Sequence, residues 1–293
     1  MQENIPQSLD KARTYEKQGV VWIAWPEKMG ELAVDEANYH DEFYEDAKDV
    51  HQLDAWRNIF YHNIIQNKLN EQPENSRILE VGAGSGTDAI KLKEKYKLTL
   101  TDISPKTLER TAKKLGHINI DYIAADGENL PFQDAYFDGL YMVATWHHFE
   151  DPKKALAEAR RVLKPGGLLV IGVEPNSLYF GAIKNLRPIL CKAVGTKTTD
   201  GSHADAEMSG FSYRDITKLF NVEWKDLEIK PMWLIAGWMH YFLEFIYRVF
   251  KMKKRIKLPL LIEKFIVGLD EILFKIPGFK HLGWHWVINT RNK

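Results

Sequence analysis

One short stretch, Glu80-Val81-Gly82-Ala83-Gly84-Ser85-Gly86, constrains this chain more than any other. It ends a short apolar run, Arg77–Val81, and opens onto Thr87–Tyr96, which has helical spacing. Glycines at alternate positions let the backbone turn tightly and leave no side chain where a ligand approaches. A helix starting just behind them points unpaired N–H groups at whatever sits before the loop. A strand, a glycine turn and a helix in that order predict a parallel sheet rather than a helical bundle or an antiparallel sandwich.

The alternation continues. Leu98–Thr101 reads as a second strand, and Ser104 with Pro105 opens a second helix. Ile118–Ala124 and Phe137–Val143 are the third and fourth strands, followed by a helix from Pro152 to Leu163. Pro165-Gly166-Gly167 turns the chain into a fifth strand, Leu168–Val173. Beyond it come a helix at Ser212–Phe220 and strands at Val222–Ile229 and Trp284–Thr290. The expected class is α/β, a doubly wound, mostly parallel sheet with helices on both faces. Residues 1–75 lack strand signals and read as a helical cap, with helical spacing from Asp41 to Asn70 and a polar break at Gln72–Ser76. The core runs over 76–231, an apolar and basic helical insertion over 232–283, and the final strand over 284–293. Within the core, 177–193 has the pattern of an amphipathic helix and Gly195–Gly210 that of a polar loop.

Spacing narrows the ligand. A dinucleotide loop has two residues between its second and third glycines. Here only Ser85 separates Gly84 from Gly86, and no Lys-Ser/Thr pair follows to make a phosphate-binding loop. Asp102 ends the second strand, where a carboxylate can accept hydrogen bonds from two ribose hydroxyls. Asp126-Gly127 follows the third strand. Each feature has a plainer reading alone: a tight connection, a helix N-terminal acid, a turn residue. Together they fall at the C-terminal ends of successive strands, the edge at which such sheets bind ligands.

This set resembles the class I S-adenosyl-L-methionine (SAM)-dependent methyltransferases, whose first motif is E/D-x-G-x-G-x-G. The resemblance runs from about Arg77 to Asn176 and includes Leu130-Pro131-Phe132, Phe137-Asp138, Trp146-His147-His148-Phe149, Asp151-Pro152 and Arg160–Gly167. It is greatest with the branch of the ubiquinone and menaquinone C-methyltransferases (methyltransferase type 11), which is broad in acceptor. It implies a seven-stranded sheet, six strands parallel and the last antiparallel. It implies SAM held by Glu80, Gly82, Ala83, Gly84 and Gly86, with Asp102 on the ribose, Asp126 and Gly127 at the adenine, and Ile103 and Ala144 beside them. The implied activity is methyl transfer to oxygen or carbon of a small-molecule or lipid-linked acceptor. The rivals are an NAD-dependent oxidoreductase, against which the glycine spacing argues, and a membrane-associated SAM-binding protein without catalysis.

Methyl transfer from a sulfonium is an in-line displacement that needs alignment and, for some acceptors, a base. His147 and His148 stand where the fourth strand meets the pocket, and an imidazole there can serve as general base near neutral pH. The alternative is that one shapes the pocket and the other packs or caps the next helix. Tyr39, His40, Tyr44 and His203 fall in regions with which the family closes its site; surface positions are the plainer reading. The histidines are scattered without metal-ligand spacing, so no metal is expected. Cys191 is the only cysteine, which excludes an internal disulfide.

The formal net charge is zero, so no nucleic-acid partner is expected. The zero hides an asymmetry: residues 1–75 carry 15 acidic and 7 basic side chains, residues 222–293 carry 7 acidic and 13 basic. Met232–Tyr247 is apolar but shorter than the ~20 residues of a spanning helix. Arg248, Lys251, Lys253, Lys254, Arg255 and Lys257 follow it. Residues 232–280 therefore read as a lid over an apolar acceptor, as core packing, or as a face toward an anionic membrane surface. The N-terminus has no apolar segment of a secretory signal, so a cytoplasmic protein is expected, peripheral to the inner face of a membrane on the last of these readings.

Overall fold

The computed structural model describes residues 5–42, 54–181, 210–220 and 222–293. Its strands are β1 (Glu16–Gln18), β2 (Val21–Ile23), β3 (Arg77–Val81), β4 (Lys97–Asp102), β5 (Ile120–Ala124), β6 (Phe137–Val143), β7 (Leu163–Pro175), β8 (Trp224–Met232) and β9 (His285–Asn292). They form one sheet in the order β1-β2-β5-β4-β3-β6-β7-β9-β8. From β5 to β7 all pairings are parallel, and β9 runs antiparallel to both its neighbours. The seven strands from β5 to β8 are thus the expected set, six in one direction and β9 against them.

The central strands read with a period of two because both faces of the sheet are covered. Leu79 and Val81 of β3 join Leu140, Met142, Leu169 and Ile171 in one core. Ile78 turns the other way, with Leu98, Leu100, Tyr141 and Val170, into a second. Reversal of strand order on either side of β3 opens a crevice at the C-terminal edge, as the fold class requires.

The helices are α1 (Glu31–Glu42), α2 (Trp56–Leu69), α3 (Ala89–Leu92), α4 (Pro105–Leu115), α5 (Pro152–Val162), α6 (Tyr213–Leu219), α7 (Ile235–Val249) and α8 (Leu260–Leu273). Their starts follow from the sequence. The Ser104 hydroxyl accepts from Thr107 N–H with Pro105 at the first position, and the Asp151 carboxylate accepts from Lys153 and Lys154 N–H with Pro152 after it. α4 buries Leu108, Ala112 and Leu115, and α5 buries Ala155, Leu156, Ala159 and Val162.

Three expectations are corrected. Residues 1–75 are not purely helical: β2 adds to β5 in parallel and β1 folds back on β2, so the sheet has nine strands rather than seven. Strands of three residues leave too short a pattern to read, and the edge of β5 rather than propensity holds them. The helix expected over Thr87–Tyr96 is reduced to α3, because the Asp88 side chain, placed to cap it, instead takes hydrogen bonds from His62 and Gln66 of α2. The helix expected across Asp41–Asn70 is two, α1 and α2, with 43–53 outside the described residues. Tyr44, Cys191, His203 and most of the expected 177–193 helix and polar loop also lie outside them.

α7 and α8 sit between β8 and β9 and are pinned by one carboxylate. Asp270 of α8, fully buried, accepts from the N–H groups of Leu234, Ile235 and Ala236 at 2.9, 2.7 and 3.1 Å. It caps α7 from a neighbouring helix, since Leu234 has no side chain that could. Asp270→Ala leaves three buried donors without a partner and should lower the unfolding free energy by roughly 2–3 kcal/mol in urea denaturation.

Candidate active site

A cavity of about 780 Å³ opens at the C-terminal edge of the sheet. That volume suits a cofactor and a second small molecule. Of the sequence-predicted cofactor residues, Glu80, Gly82, Ala83, Gly84, Asp102, Ile103, Asp126, Gly127 and Ala144 line it. Gly86 does not: it lies against Thr111 and Leu115 of α4, where a side chain has no room. Its φ of +65° suits a glycine, so it turns the loop rather than touching a ligand.

Asp102 fixes the loop. One carboxylate oxygen accepts from Gly84 N–H at 2.9 Å, the other from Ser104 N–H at 3.0 Å. Burial raises its carboxyl above the usual range, although those two amides and the His40 charge pull it back. Each oxygen keeps a second lone pair, which is what paired ribose hydroxyls require. At Gly84 (φ +47°) a Cβ would meet nothing within 4 Å, whereas at Gly82 (φ +74°) it would strike the Thr145 side chain. The loop is therefore open on the ligand side at Gly84 and closed at Gly82. Burial and the Asp88 charge push Glu80 well above the ordinary carboxyl range, and it accepts the Tyr141 hydroxyl at 2.7 Å. Asp126 accepts from Glu128 N–H and Asn129 Nδ2 at 2.8 and 2.7 Å, which holds the turn after β5.

Both histidines after β6 reach the cavity, each on its own carboxylate. His147 Nδ1 lies 2.9 Å from Glu174, which also accepts from the N–H groups of Thr145, Trp146 and His147 at 3.0–3.1 Å. Glu174 ends β7 and is fully buried. A carboxylate can only accept, so Nδ1 of neutral His147 carries its proton and Nε2 is the basic nitrogen. His148 Nδ1 is 3.2 Å from Glu36 of α1, and His40 Nε2 is 3.4 Å from the same carboxylate. Burial opposes protonation of His40, but the Glu36 hydrogen bond and the Asp102 and Glu36 charges outweigh it and raise its pKa. These contacts bring α1 against the cofactor edge. Of the cap residues singled out from sequence, His40 thus joins the cavity, while Tyr39 does not line it.

The far end of the cavity was not legible in the sequence. Phe180, Trp233, His240, Tyr241 and His285 wall it. Tyr241 stacks on Trp284 at 4.3 Å between ring centroids, and His285 meets Phe180 and Trp233 edge-on at 5.3 and 5.0 Å. Of the insertion, Trp233, His240 and Tyr241 thus line the cavity. The missed signals are a carboxylate near the end of a strand, Glu174, and a histidine at the start of one, His285.

Strand order, glycine loop and acidic strand ends define a class: a Rossmann-like α/β domain built to hold SAM. Residues 79–171 match the model of a methyltransferase domain. This segment is thus similar to class I SAM-dependent methyltransferases, ubiquinone/menaquinone biosynthesis C-methyltransferases among them. The ubiquinone/menaquinone biosynthesis C-methyltransferase of Rickettsia prowazekii is 41% identical over 122 residues, 38% of this chain and 49% of that one. The malonyl-[acyl-carrier protein] O-methyltransferase of Geobacter sulfurreducens is 30% identical over 150 residues, 50% of this chain and 56% of that one. This chain thus spans about half the length of these curated relatives. The N-methyltransferase NodS of Bradyrhizobium japonicum, solved with S-adenosylhomocysteine, shares the fold with a TM-score of 0.53 at 15% identity, over 88% of this chain and 98% of that one.

His285 gives the chamber a pH signature. Burial, with His240 and His147 nearby, pushes its pKa from 6.5 down to about 3. The unfolded chain takes up that proton near pH 6.5 while the folded one refuses it. The stability is therefore whole above pH 6.5 and is lost as pH falls from there toward 3. Between pH 6.5 and 5, urea denaturation should show wild type losing stability more steeply than His285→Phe, by about 1 kcal/mol per pH unit.

Proposed function

We propose that this protein transfers a methyl group from SAM to oxygen or carbon of a small or lipid-linked acceptor that carries an apolar, ring-sized portion. One observation carries the reading: a single cavity joins the glycine loop, Asp102 and Asp126 to the aromatic chamber, with His147 among its lining residues. The donor set fits SAM, with an open cradle at Gly84 and a carboxylate at each of two strand ends. When bound, SAM supplies a methyl group made electrophilic by the sulfonium.

The chain's own residues do the rest. Asp102 and the Gly84 loop hold the ribose end, and Asp126 and Gly127 the adenine end. Phe180, Trp233 and Tyr241 exclude water from the acceptor and orient it by contact with its apolar portion. His147, held by Glu174 with Nε2 as its base, takes the proton from an acceptor hydroxyl or acidic carbon as the methyl bond forms. Glu174 positions that imidazole and does not itself move a proton. The malonyl-[acyl-carrier protein] and quinone relatives bracket the acceptor class, carrier-linked at one end and lipid-like at the other. The same reading places the protein on the cytoplasmic side, with a small-molecule acceptor rather than a nucleic acid.

Calorimetry should show S-adenosylhomocysteine binding in the micromolar range, about −8 kcal/mol. Asp102→Ala should weaken it by roughly 1.5–3 kcal/mol through loss of charge-assisted hydrogen bonds. NAD binding with no response to S-adenosylhomocysteine overturns the reading. Incubation with methyl-labelled SAM and a small-molecule and lipid extract should label an acceptor. His147→Asn should cut that turnover by ~100-fold while S-adenosylhomocysteine affinity holds. A loss of only a few-fold would leave alignment as the catalytic term and His147 as a wall.

A further inference from the structure

The outer faces of α7 and α8 reverse the usual order of a surface helix. Trp238, Phe242 and Phe245 recur at helical spacing along α7, and they are its exposed stripe, at 59%, 61% and 48%. On α8 the exposed stripe is Leu261, Phe265 and Ile272, with Leu261 81% and Phe265 71% open. A helix packed on a soluble domain turns its polar face outward. Here the apolar stripe faces out while the inward positions carry polar groups that are satisfied, Asp270 on the α7 amides and Glu263 on Arg57. Phe250 and Met252 extend the apolar face into the connection between the helices.

That connection supplies charge. Arg248 and Arg255 are both held by Glu244, and Lys257 by Asp54. Lys251, Lys253 and Lys254 are exposed beside the apolar stripe, with no carboxylate at ion-pair distance among the described residues. Clustered lysines beside exposed aromatics do not suit a protein partner, because lysine is depleted where proteins meet. They suit an anionic bilayer surface, where rings enter the headgroup region and ammonium groups lie on lipid phosphates and carboxylates.

We propose that α7, α8 and the Lys251–Lys254 turn form a monotopic docking face for an anionic membrane surface. The face does not span: α7, at 15 residues, is about 22 Å long, short of the ~30 Å hydrocarbon core. No helix among the described residues is long and apolar enough to cross a membrane. The face adjoins the chamber, since α7 also carries His240 and Tyr241 of its wall. Docking there sets the acceptor chamber at the bilayer surface. The proposal stands on the helix faces and not on methyl transfer.

Flotation of the full chain with phosphatidylserine-containing phosphatidylcholine vesicles tests it. Wild type should bind these at low salt, be released by high salt, and bind pure phosphatidylcholine at least ~10-fold more weakly. Lys251→Ser, Lys253→Ser and Lys254→Ser together should weaken binding on the order of 100-fold, about fivefold for each charge. Phe242→Ser with Phe265→Ser should weaken it on the order of 10-fold or more by removing buried ring area. Both variants should keep S-adenosylhomocysteine affinity in calorimetry, which separates failure here from failure of the proposed function. Wild type that ignores anionic vesicles at low salt overturns the proposal. So does a dimer in light scattering that Phe242→Ser with Phe265→Ser dissolves, since the face then belongs to a second copy of the chain.

Discussion

The cavity edge of the sheet hangs on the Glu174 carboxylate. It ends β7, is sealed from solvent, and gathers three consecutive amides and one imidazole from the turn after β6. A buried carboxylate is tolerated only when its lone pairs are filled, and here four donors fill them. In exchange, the leading amides of the 3-10 turn at Trp146–His148 are satisfied, and Ala144 before it is held at φ +51°. Two parallel strands are thereby locked at the end where the ligand sits. Asp102 does the same for the glycine loop and β4, so both halves of the crevice are built on one device, a strand-end carboxylate collecting amides from its neighbour.

What could be read from sequence was local. The glycine loop, Asp102 and Asp126 each declare themselves by residue type at a strand end, and the apolar runs of β3 to β7 are long enough to show. Glu174 stood equally in view near the end of β7, but its partners lie 27 to 29 residues earlier, and nothing in its neighbourhood names them. The aromatic chamber was hidden for the same reason, since Phe180, Trp233, Tyr241 and His285 converge from a helical turn, a strand end, a helix and a strand. β1 and β2 were missed because three residues give a period no chance to appear. α3 was overestimated because Asp88 has an alternative partner that only the fold brings near.

The opposite charges of the two chain ends have a shared structural outlet. Arg57 of α2 pairs with Glu263 of α8, Lys257 with Asp54, and the Tyr61 hydroxyl donates to Glu271. Lys264 lies over the Trp56 ring at 4.6 Å. α2 of the N-terminal addition and α8 of the C-terminal one are thus cross-linked. Removing either partner of the buried Arg57–Glu263 pair would leave the other's charge uncompensated, so the two helices depend on each other.

The two rims of the sheet differ from its middle in one practical respect. β1 is three residues, Glu16-Lys17-Gln18, all exposed; β8 alternates Lys225, Asp226, Glu228 and Lys230 and is interrupted by a register shift between Lys225 and Glu228. Short, charged and bulged rims make poor templates for a further strand. A nine-stranded sheet with the usual kind of edge would invite strand-by-strand aggregation at the concentrations of a crowded cell. The rims of this sheet offer such growth little to build on.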